Sequence, residues 1–135
     1  MVTILGGESR PALKRAGHDT AVLMVPDPHW EEKLVGQAPD LIACSMTTGD
    51  HGFYAKLAER TKDLVKAPVI FGGPHPTFVP DMVREPGVDY VCRGEGEYAL
   101  VELASRLERK EAVDDVPNLT YMRGGERVDN PLRPL

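Results

Sequence analysis

Three stretches of the chain place hydroxyl, imidazole and carboxylate side chains beside glycines, each directly after a short apolar run. They are Ser45-Met46-Thr47-Thr48-Gly49, Gly72-Gly73-Pro74-His75 and Gly94-Glu95-Gly96-Glu97. The polar side chains could hydrogen-bond a ligand, and the glycines would let the backbone approach it closely. If the apolar runs are parallel strands, all three stretches lie at the same edge of one sheet, where open α/β sheets bind ligands. We therefore predict one binding site at this edge, suited to a large and mostly neutral ligand.

Other chemistries at these residues lack the motifs that they require. The chain contains no Gly-x-x-x-x-Gly-Lys-Ser/Thr loop, and the carboxylates of Glu95 and Glu97 would repel a phosphate. No Gly-x-Ser-x-Gly elbow is present either. A small hydrolase or isomerase using Glu95, Glu97 and His75 stays open as an acid–base option. A zinc site from His51, His75 and carboxylates has no supporting ligand spacing, so we assign no catalytic residue and no metal ligand.

The pattern of apolar residues predicts strands and helices in alternation. The predicted strands are Val2–Leu5, Thr20–Val25, Leu41–Cys44, Val69–Phe71 and Tyr90–Cys92. The predicted helices are Pro11–Ala16, Trp30–Val35, a long helix that begins near Gly52, Val79–Arg84 and Glu97–Arg109. In the long helix, Phe53, Leu57 and Thr61 belong to the predicted buried face. Such alternation predicts a parallel sheet with right-handed crossovers and helices on both faces.

Beyond Asp115 the pattern changes to that of a hairpin. Leu119–Met122 and Arg127-Val128 flank Gly124-Gly125, a turn sequence typical of antiparallel strand pairs. The predicted fold class is α/β: a flavodoxin-like (Rossmann-type) doubly wound five-stranded parallel sheet with a C-terminal β-hairpin. We divide the chain into an α/β domain at residues 1–115 and a hairpin and linker at residues 116–135.

Composition limits the classes of partner. The chain has 135 residues, enough for one domain with its own core, and its formal net charge of −5 gives no basic surface for nucleic acid. No apolar run approaches the ~20 residues that span a bilayer, and no signal-peptide pattern is present, so we expect a cytoplasmic protein without membrane contacts. Cys44 and Cys92 favour buried reduced thiols over a disulfide. His18 is expected to face solvent, and the C-terminal leucines favour a homodimer.

Taken together, the stretches Pro39–Ser45, Gly72–Thr77 and Val88–Glu97 resemble the cobalamin-binding domain of cobalamin-dependent radical S-adenosylmethionine enzymes. The segment Ala12–Asp19 is similar to the first helix and turn of that family, and the resemblance covers nearly the whole chain. It implies that the ligand is cobalamin and that the chain is the cofactor module of a radical S-adenosylmethionine methyltransferase or cyclase. The site residues that it implies are Ser45, Met46, Thr47, Thr48, Gly49, Gly72, Gly73, His75, Gly94, Glu95 and Gly96.

The resemblance also implies a role for each loop. The loop of Ser45 and Thr47 and the loop of Gly72 and Gly73 would enclose the nucleotide tail of cobalamin. The hydroxyls would hydrogen-bond the tail, and the glycines would leave room for its ring. His75 and the Gly94–Gly96 turn would border the tail or the edge of the corrin.

Two motifs of related enzymes are missing. Domains of the methionine-synthase type carry Asp-x-His-x-x-Gly after the first strand, where the imidazole ligates cobalt, and this chain has no such motif. The resemblance therefore implies base-off cobalamin without a histidine ligand from that loop, with His51 as a minority alternative. The Cys-x-x-x-Cys-x-x-Cys motif that holds a [4Fe–4S] cluster is also absent. The cluster, S-adenosylmethionine and catalysis would thus belong to a separate domain of a parent protein, into which a stretch such as Asn130–Pro134 leads in this family.

The alternative class is a flavodoxin-like protein-interaction domain without a cofactor. The acidic loop Gly94–Glu97 would then be the partner surface. Receiver domains, one module of this class, need clustered aspartates after the first strand and an aspartate after the third. Here the third strand ends at Cys44-Ser45, which argues against a receiver.

Overall fold

The computed structural model describes residues 1–5, 10–23, 27–45, 51–73, 76–77, 79–94 and 96–134 of the chain. Its strands are β1 (Val2–Leu5), β2 (Thr20–Val22), β3 (Leu41–Ser45), β4 (Val69–Gly72), β5 (Tyr90–Cys92), β6 (Leu119–Arg123) and β7 (Glu126–Asp129). Its helices are α1 (Arg10–Arg15), α2 (Trp30–Gln37), α3 (His51–Leu64) and α4 (Gly96–Glu108), with a 3₁₀ helix at Pro80–Arg84. The predicted elements are present, although β2 spans Thr20–Val22 and the short helix before β5 is 3₁₀. Met24 and Val25, the last residues of the predicted second strand, lie outside the described residues.

The strands form one sheet in the order β2-β1-β3-β4-β5-β6-β7. The first five are parallel, and β1 pairs with both β2 and β3, which makes the first strand of the chain a central one. β6 pairs antiparallel with β5, and β7 pairs antiparallel with β6. The order of the parallel strands is that of a flavodoxin-like doubly wound sheet, so the predicted fold class is confirmed. The predicted hairpin extends this same sheet.

The helices cover both faces of the sheet because successive strand residues point into two different apolar cores. One core joins Leu5, Cys44 and Phe71 to side chains of α2, α3 and the 3₁₀ helix. The other core joins Ile4 and Ala43 to side chains of α1 and α4. Since both faces are covered there, the central strands β1, β3 and β4 consist of nearly continuous buried residues, as the sequence predicts.

Cys44 and Cys92 are both buried, and neither forms a disulfide. They lie in β3 and β5, with β4 between them, and they belong to opposite cores. This confirms the prediction of reduced thiols and excludes a disulfide between the two. Burial raises the pKa of the Cys44 thiol far above its usual range, so the thiol stays protonated at neutral pH.

His18 lies in the turn between α1 and β2, and the prediction that it faces solvent is wrong. Its side chain is only 8% exposed. The Nε2 atom lies 3.0 Å from Oγ of Ser105, and Nδ1 lies 3.2 Å from a carboxylate oxygen of Glu108, both on α4. The turn reaches α4 because α1 and α4 pack together on the same face of the sheet. His18 and Ser105 are 87 positions apart, so no local sequence pattern could reveal the contact.

The buried face of α3 differs from the prediction at its first turn. Leu57 and Thr61 are buried, as predicted, whereas Phe53 is 56% exposed. Because α3 follows β3 in the chain, its first turn lies at the edge where the strands end, and the sheet does not cover a side chain there. Helical periodicity alone cannot distinguish a residue over the sheet from one beyond its edge.

The segment after β7 folds back on the domain. Asn130 is buried, and its side-chain amide donates to two backbone carbonyls, each at 2.8 Å. The backbone N–H of Arg133 donates to the side-chain oxygen of Asn118 at 2.6 Å, and its guanidinium donates to Glu102 at 2.9 Å. Leu132 is exposed. Residues 130–133 are therefore held in place by the segment that precedes β6 and by Glu102 of α4.

Candidate functional site

The carboxyl ends of β3, β4 and β5 lie side by side. Ser45, the last residue of β3, is the register partner of Gly72, the last residue of β4. A Cβ built on Gly72 would lie 4.0 Å from the Cβ of Cys92, the last residue of β5. The three predicted stretches thus leave the sheet from adjacent points on one edge.

Several side chains predicted for the site fall outside the described residues. These are the side chains of Met46, Thr47, Thr48, His75 and Glu95, together with Gly49. His51 is described as the first residue of α3, but its side chain is not. The described members of the predicted site are Ser45, Gly72, Gly73, Gly94 and Gly96.

Ser45 marks the point at which β3 changes from buried to exposed. The four residues before it, Leu41–Cys44, are all buried, whereas Ser45 is exposed. Its hydroxyl can donate one hydrogen bond and accept two. Since a glycine backbone lies beside it on β4, Ser45 is accessible to a ligand that approaches this edge.

Gly72 and Gly73 are adjacent, and only Gly73 has a backbone conformation that requires glycine. Gly73 has a φ of 103°, a conformation that L side chains rarely adopt, so the backbone itself requires glycine there. Gly72 has no such φ. Among the described residues, a Cβ at position 72 would make only ordinary contact, with the Cβ of Cys92. The described part of the chain leaves room for a side chain at position 72, and a closely approaching ligand would use that room.

Thr77 connects the loop after β4 to the loop after β5. Its hydroxyl donates to the carbonyl of Gly73 at 2.8 Å and accepts from the backbone N–H of Gly94 at 3.0 Å. Gly94 has a φ of 80°, another conformation that favours glycine. Sequence reasoning did not assign Thr77 to the site, and its only signal was its place at the end of the stretch Gly72–Thr77.

Exposed apolar side chains lie at the same edge of the sheet. Val22 ends β2, and Phe53 and Tyr98 lie in the first turns of α3 and α4, the helices that follow β3 and β5. Their exposed fractions are 42%, 56% and 64% respectively. An apolar surface with a few polar groups is typical of sites for large organic ligands.

The acid–base and zinc alternatives gain no support from the described residues. Within them, no group of three or more histidine, cysteine, aspartate or glutamate side chains is arranged to hold a metal ion. Glu97 is exposed in the first turn of α4, where a carboxylate interacts favourably with the helix N-terminus. The partners that these alternatives need, Glu95 and the side chains of His51 and His75, lie outside the described residues.

A groove of about 440 Å³ lies at the opposite edge of the sheet. It is bordered by His18 and Asp40, which precede β2 and β3, by Leu107 near the end of α4 and by Lys110 just after that helix. None of these residues belongs to the predicted site. The predicted site therefore lies at the carboxyl ends of the strands, and this groove is not part of it.

A family model described as the B12 binding domain matches residues 10–104 of the chain. Among curated proteins, the uncharacterized methyltransferase PH0819 of Pyrococcus horikoshii is 36% identical over 102 residues, which are 72% of this chain and 22% of that protein. The anaerobic magnesium-protoporphyrin IX monomethyl ester cyclase of Synechocystis sp. is 27% identical over 133 residues, which are 89% of this chain and 26% of that protein. The chain thus spans about a quarter of the length of these relatives.

A solved structure of similar fold is that of the radical S-adenosylmethionine methyltransferase TsrM from Kitasatospora setae, with cobalamin and a [4Fe–4S] cluster bound. The TM-score is 0.83 at 20% sequence identity, and the match covers 99% of this chain and 29% of the TsrM chain. At this identity the likeness shows a shared fold.

Proposed function

The chain belongs to the B12-binding domain family, and from this premise we propose that it binds cobalamin at the carboxyl edge of its parallel sheet. It would serve as the cofactor module of a radical S-adenosylmethionine methyltransferase or cyclase, the kinds of enzyme to which it is similar. The alternative of a cofactor-free interaction domain is not favoured by these similarities.

The pairing of Ser45 with Gly72 is the observation that supports this proposal most directly. An exposed hydroxyl lies in register with a glycine that the described chain does not itself require. The hydroxyl can hydrogen-bond the polar nucleotide tail of cobalamin, and the missing side chain at position 72 leaves space for the ring of that tail. The residues present therefore fit the cofactor.

The other predicted residues would complete the binding site. Thr47 and Thr48 would add hydroxyls beside Ser45, with Met46 and Gly49 in the same loop, and Gly73 would continue the glycine wall. His75, Gly94, Glu95 and Gly96 would border the tail or the corrin. Bound cobalamin would supply a cobalt centre that can carry a methyl group. The exposed apolar side chains at this edge, among them Phe53 and Tyr98, would help to exclude water from it.

We propose that cobalamin binds base-off, without a histidine ligand from the loop after the first strand. β1 ends at Leu5 and α1 begins at Arg10, and the sequence between them, Gly6-Gly7-Glu8-Ser9, contains no histidine. The first histidine of the chain, His18, precedes β2 at the opposite edge of the sheet and contacts α4. His51 remains the minority alternative.

The radical chemistry would take place in another domain of a longer protein. The two cysteines of this chain are buried in different cores, so they would not hold a [4Fe–4S] cluster. The cluster and S-adenosylmethionine would therefore bind elsewhere in the parent, with residues 116–135 as the hairpin and link between domains. We propose a cytoplasmic location and a homodimer through the exposed C-terminal leucine Leu132. Among the described residues, no helix is long and apolar enough to cross a membrane.

Hydroxocobalamin tests the proposed function. The purified chain is mixed with an excess of hydroxocobalamin and passed over a gel-filtration column. We expect a coloured protein peak with about one cobalamin per chain, and its elution volume also reports whether the chain is a dimer. A visible spectrum of that peak distinguishes base-off from base-on cobalamin, and we expect the base-off form.

A colourless protein peak under both aerobic and reducing conditions would overturn the proposal. A coloured peak with the spectrum of nitrogen-ligated cobalamin would leave cobalamin binding intact and reject base-off cobalamin without a histidine ligand. Such a spectrum would arise either from the cofactor's own base or from a histidine, because both ligate cobalt through nitrogen. The spectrum of a His51→Ala variant then tests the minority alternative, since loss of a histidine ligand would change it.

A further inference from the structure

Thr77 joins two loops that the sheet itself does not join. Gly73 follows β4 and Gly94 follows β5, and both have positive φ values that take them out of the strand ladder. The Thr77 hydroxyl donates to the carbonyl of Gly73 and accepts from the N–H of Gly94, and so makes one hydrogen bond to each loop. The Thr77 side chain therefore bridges the two loops with a pair of hydrogen bonds.

A local backbone contact accounts for the link between Thr77 and Gly73, but not for the link between Thr77 and Gly94. The backbone N–H of Thr77 also donates to the carbonyl of Gly73, at 3.3 Å, so a turn from Gly73 to Thr77 would form without the side chain. The bond to Gly94 spans 17 positions and reaches a different strand end. Making both side-chain bonds from one atom needs a hydroxyl, because the oxygen must donate to Gly73 and accept from Gly94.

We propose that Thr77 is a positioning residue of the cobalamin site, which fixes the distance between the Gly72-Gly73 wall and the Gly94–Gly96 turn. This inference rests on the proposed function. Thr77 acts through the two loops and need not touch the cofactor. When the hydroxyl is lost, the loops separate or fluctuate, and part of the binding free energy is used to bring them together again.

Three variants test the role of the hydroxyl. Thr77→Val keeps the shape of the side chain and removes both hydrogen bonds, whereas Thr77→Ser keeps the hydroxyl. Thr120→Val is the matched control, because the Thr120 hydroxyl donates a 2.7 Å hydrogen bond to Asp129 within the β6–β7 hairpin, outside the loops that follow β4 and β5. The measurements are the Kd for hydroxocobalamin, the visible spectrum of the complex and the midpoint of urea unfolding.

We expect Thr77→Val to raise the Kd about tenfold and to change the visible spectrum of the complex. Thr77→Ser should stay within about twofold of the unchanged chain and keep its spectrum. Thr120→Val should lower the urea midpoint while leaving the Kd unchanged. If Thr77→Val does not give a folded protein by circular dichroism, Thr77→Ala replaces it with the same expected increase in Kd.

The outcomes separate this inference from the proposed function. If the unchanged chain does not bind hydroxocobalamin, the proposed function itself fails. If the unchanged chain binds and Thr77→Val binds equally well, the positioning role is wrong and cobalamin binding stands. The positioning role is also wrong if Thr77→Ser is weakened as much as Thr77→Val, or if Thr120→Val weakens binding to the same degree.

Discussion

At the scale of single residues, Gly72 and Gly73 are glycines for different reasons. The backbone conformation requires glycine at position 73, whereas a ligand would require the space left by glycine at position 72. Gly73 has a φ of 103°, and a side chain there would add backbone strain whether or not anything is bound. Gly72 has no strain to relieve, and its built Cβ makes only ordinary contact with Cys92 among the described residues. Within the described residues, an alanine at position 72 would disturb no close contact, so it tests the approach of the ligand.

Gly72→Ala is expected to keep the stability of the chain and to weaken cobalamin binding at least tenfold, because the new methyl group occupies the space left for the cofactor. Urea unfolding measures the first effect, and titration with hydroxocobalamin measures the second. Gly36→Ala is the matched control: Gly36 lies in α2, and a Cβ there has no neighbour within 4 Å in the part of the chain that the structure describes. It should leave the Kd unchanged and stabilise the helix by about 0.5–1 kcal/mol. Unchanged binding by Gly72→Ala would show that the cofactor does not approach this glycine.

At the scale of elements, α4 connects the predicted site to the far edge of the sheet. It begins at Gly96, in the loop after β5, and its buried face includes Leu103 in the core that it shares with α1. Near its other end, Ser105 and Glu108 contact His18 in the turn that leads into β2. α4 is therefore held by the sheet along its buried face and by this turn near its C-terminal end.

His18→Ala is expected to lower the free energy of unfolding by about 1–3 kcal/mol, since it removes a nearly buried ring together with its hydrogen bond to Ser105. His29→Ala provides the control, because the side chain of His29 is 68% exposed, and its effect should stay within about 0.5 kcal/mol. Urea unfolding of the three proteins gives both values. Equal stability of the two variants would mean that the turn does not hold α4.

Asp129 links the two strands of the β6–β7 hairpin, and its surroundings favour the ionised carboxylate over the protonated form. Thr120 and Asp129 are register partners, and the Thr120 hydroxyl donates to the carboxylate. Partial burial alone would raise the pKa of Asp129, but the hydrogen bond from Thr120 and the charges of Arg127 and Arg93 hold it below its usual value. A lowered pKa in the folded state means that this contribution to stability is present at neutral pH and is lost as pH falls through the pKa of the folded state.

At the scale of the whole molecule, two cores share one sheet. The strands contribute alternate residues to each core, so loss of either layer of helices would expose the apolar strand residues on the face that the layer covers. Leu34 of α2 and Leu103 of α4 are fully buried, one in each core. Domains of this size commonly unfold in a single transition, and the shared sheet gives a physical reason to expect it here.

Leu34→Ala and Leu103→Ala should each lower the free energy of unfolding by about 2–5 kcal/mol, because each leaves a cavity. The single tryptophan, Trp30, packs against the core of Leu34 and reports on that face by fluorescence, whereas circular dichroism reports on all helices. For Leu103→Ala we expect the two signals to shift together. Leu132→Ala, at an exposed position, should change little. A Trp30 transition that does not move in Leu103→Ala would show that the two faces unfold separately.

Much of the fold could be predicted because a buried parallel strand is a short run of apolar residues, which is visible in the local sequence. Val69–Phe71 and Tyr90–Cys92 are short apolar runs that end in glycines or loop residues, and they coincide with the cores of β4 and β5. Phe53 shows where local pattern fails, since its place in the helical period suits a buried residue while its place at the sheet edge exposes it. The predicted site followed from the rule that parallel strands end at one edge, which needs no contact information.

The sequence by itself determined the strands, the helices, the loops that carry polar groups and the absence of a histidine after the first strand. Each of these depends on the types and order of neighbouring residues. Only the tertiary structure decided that Ser45 lies in register with Gly72, that His18 contacts Ser105, and that Thr77 joins Gly73 to Gly94. Such contacts unite residues that are distant in the chain, and they form because packing both faces of one sheet brings those residues together.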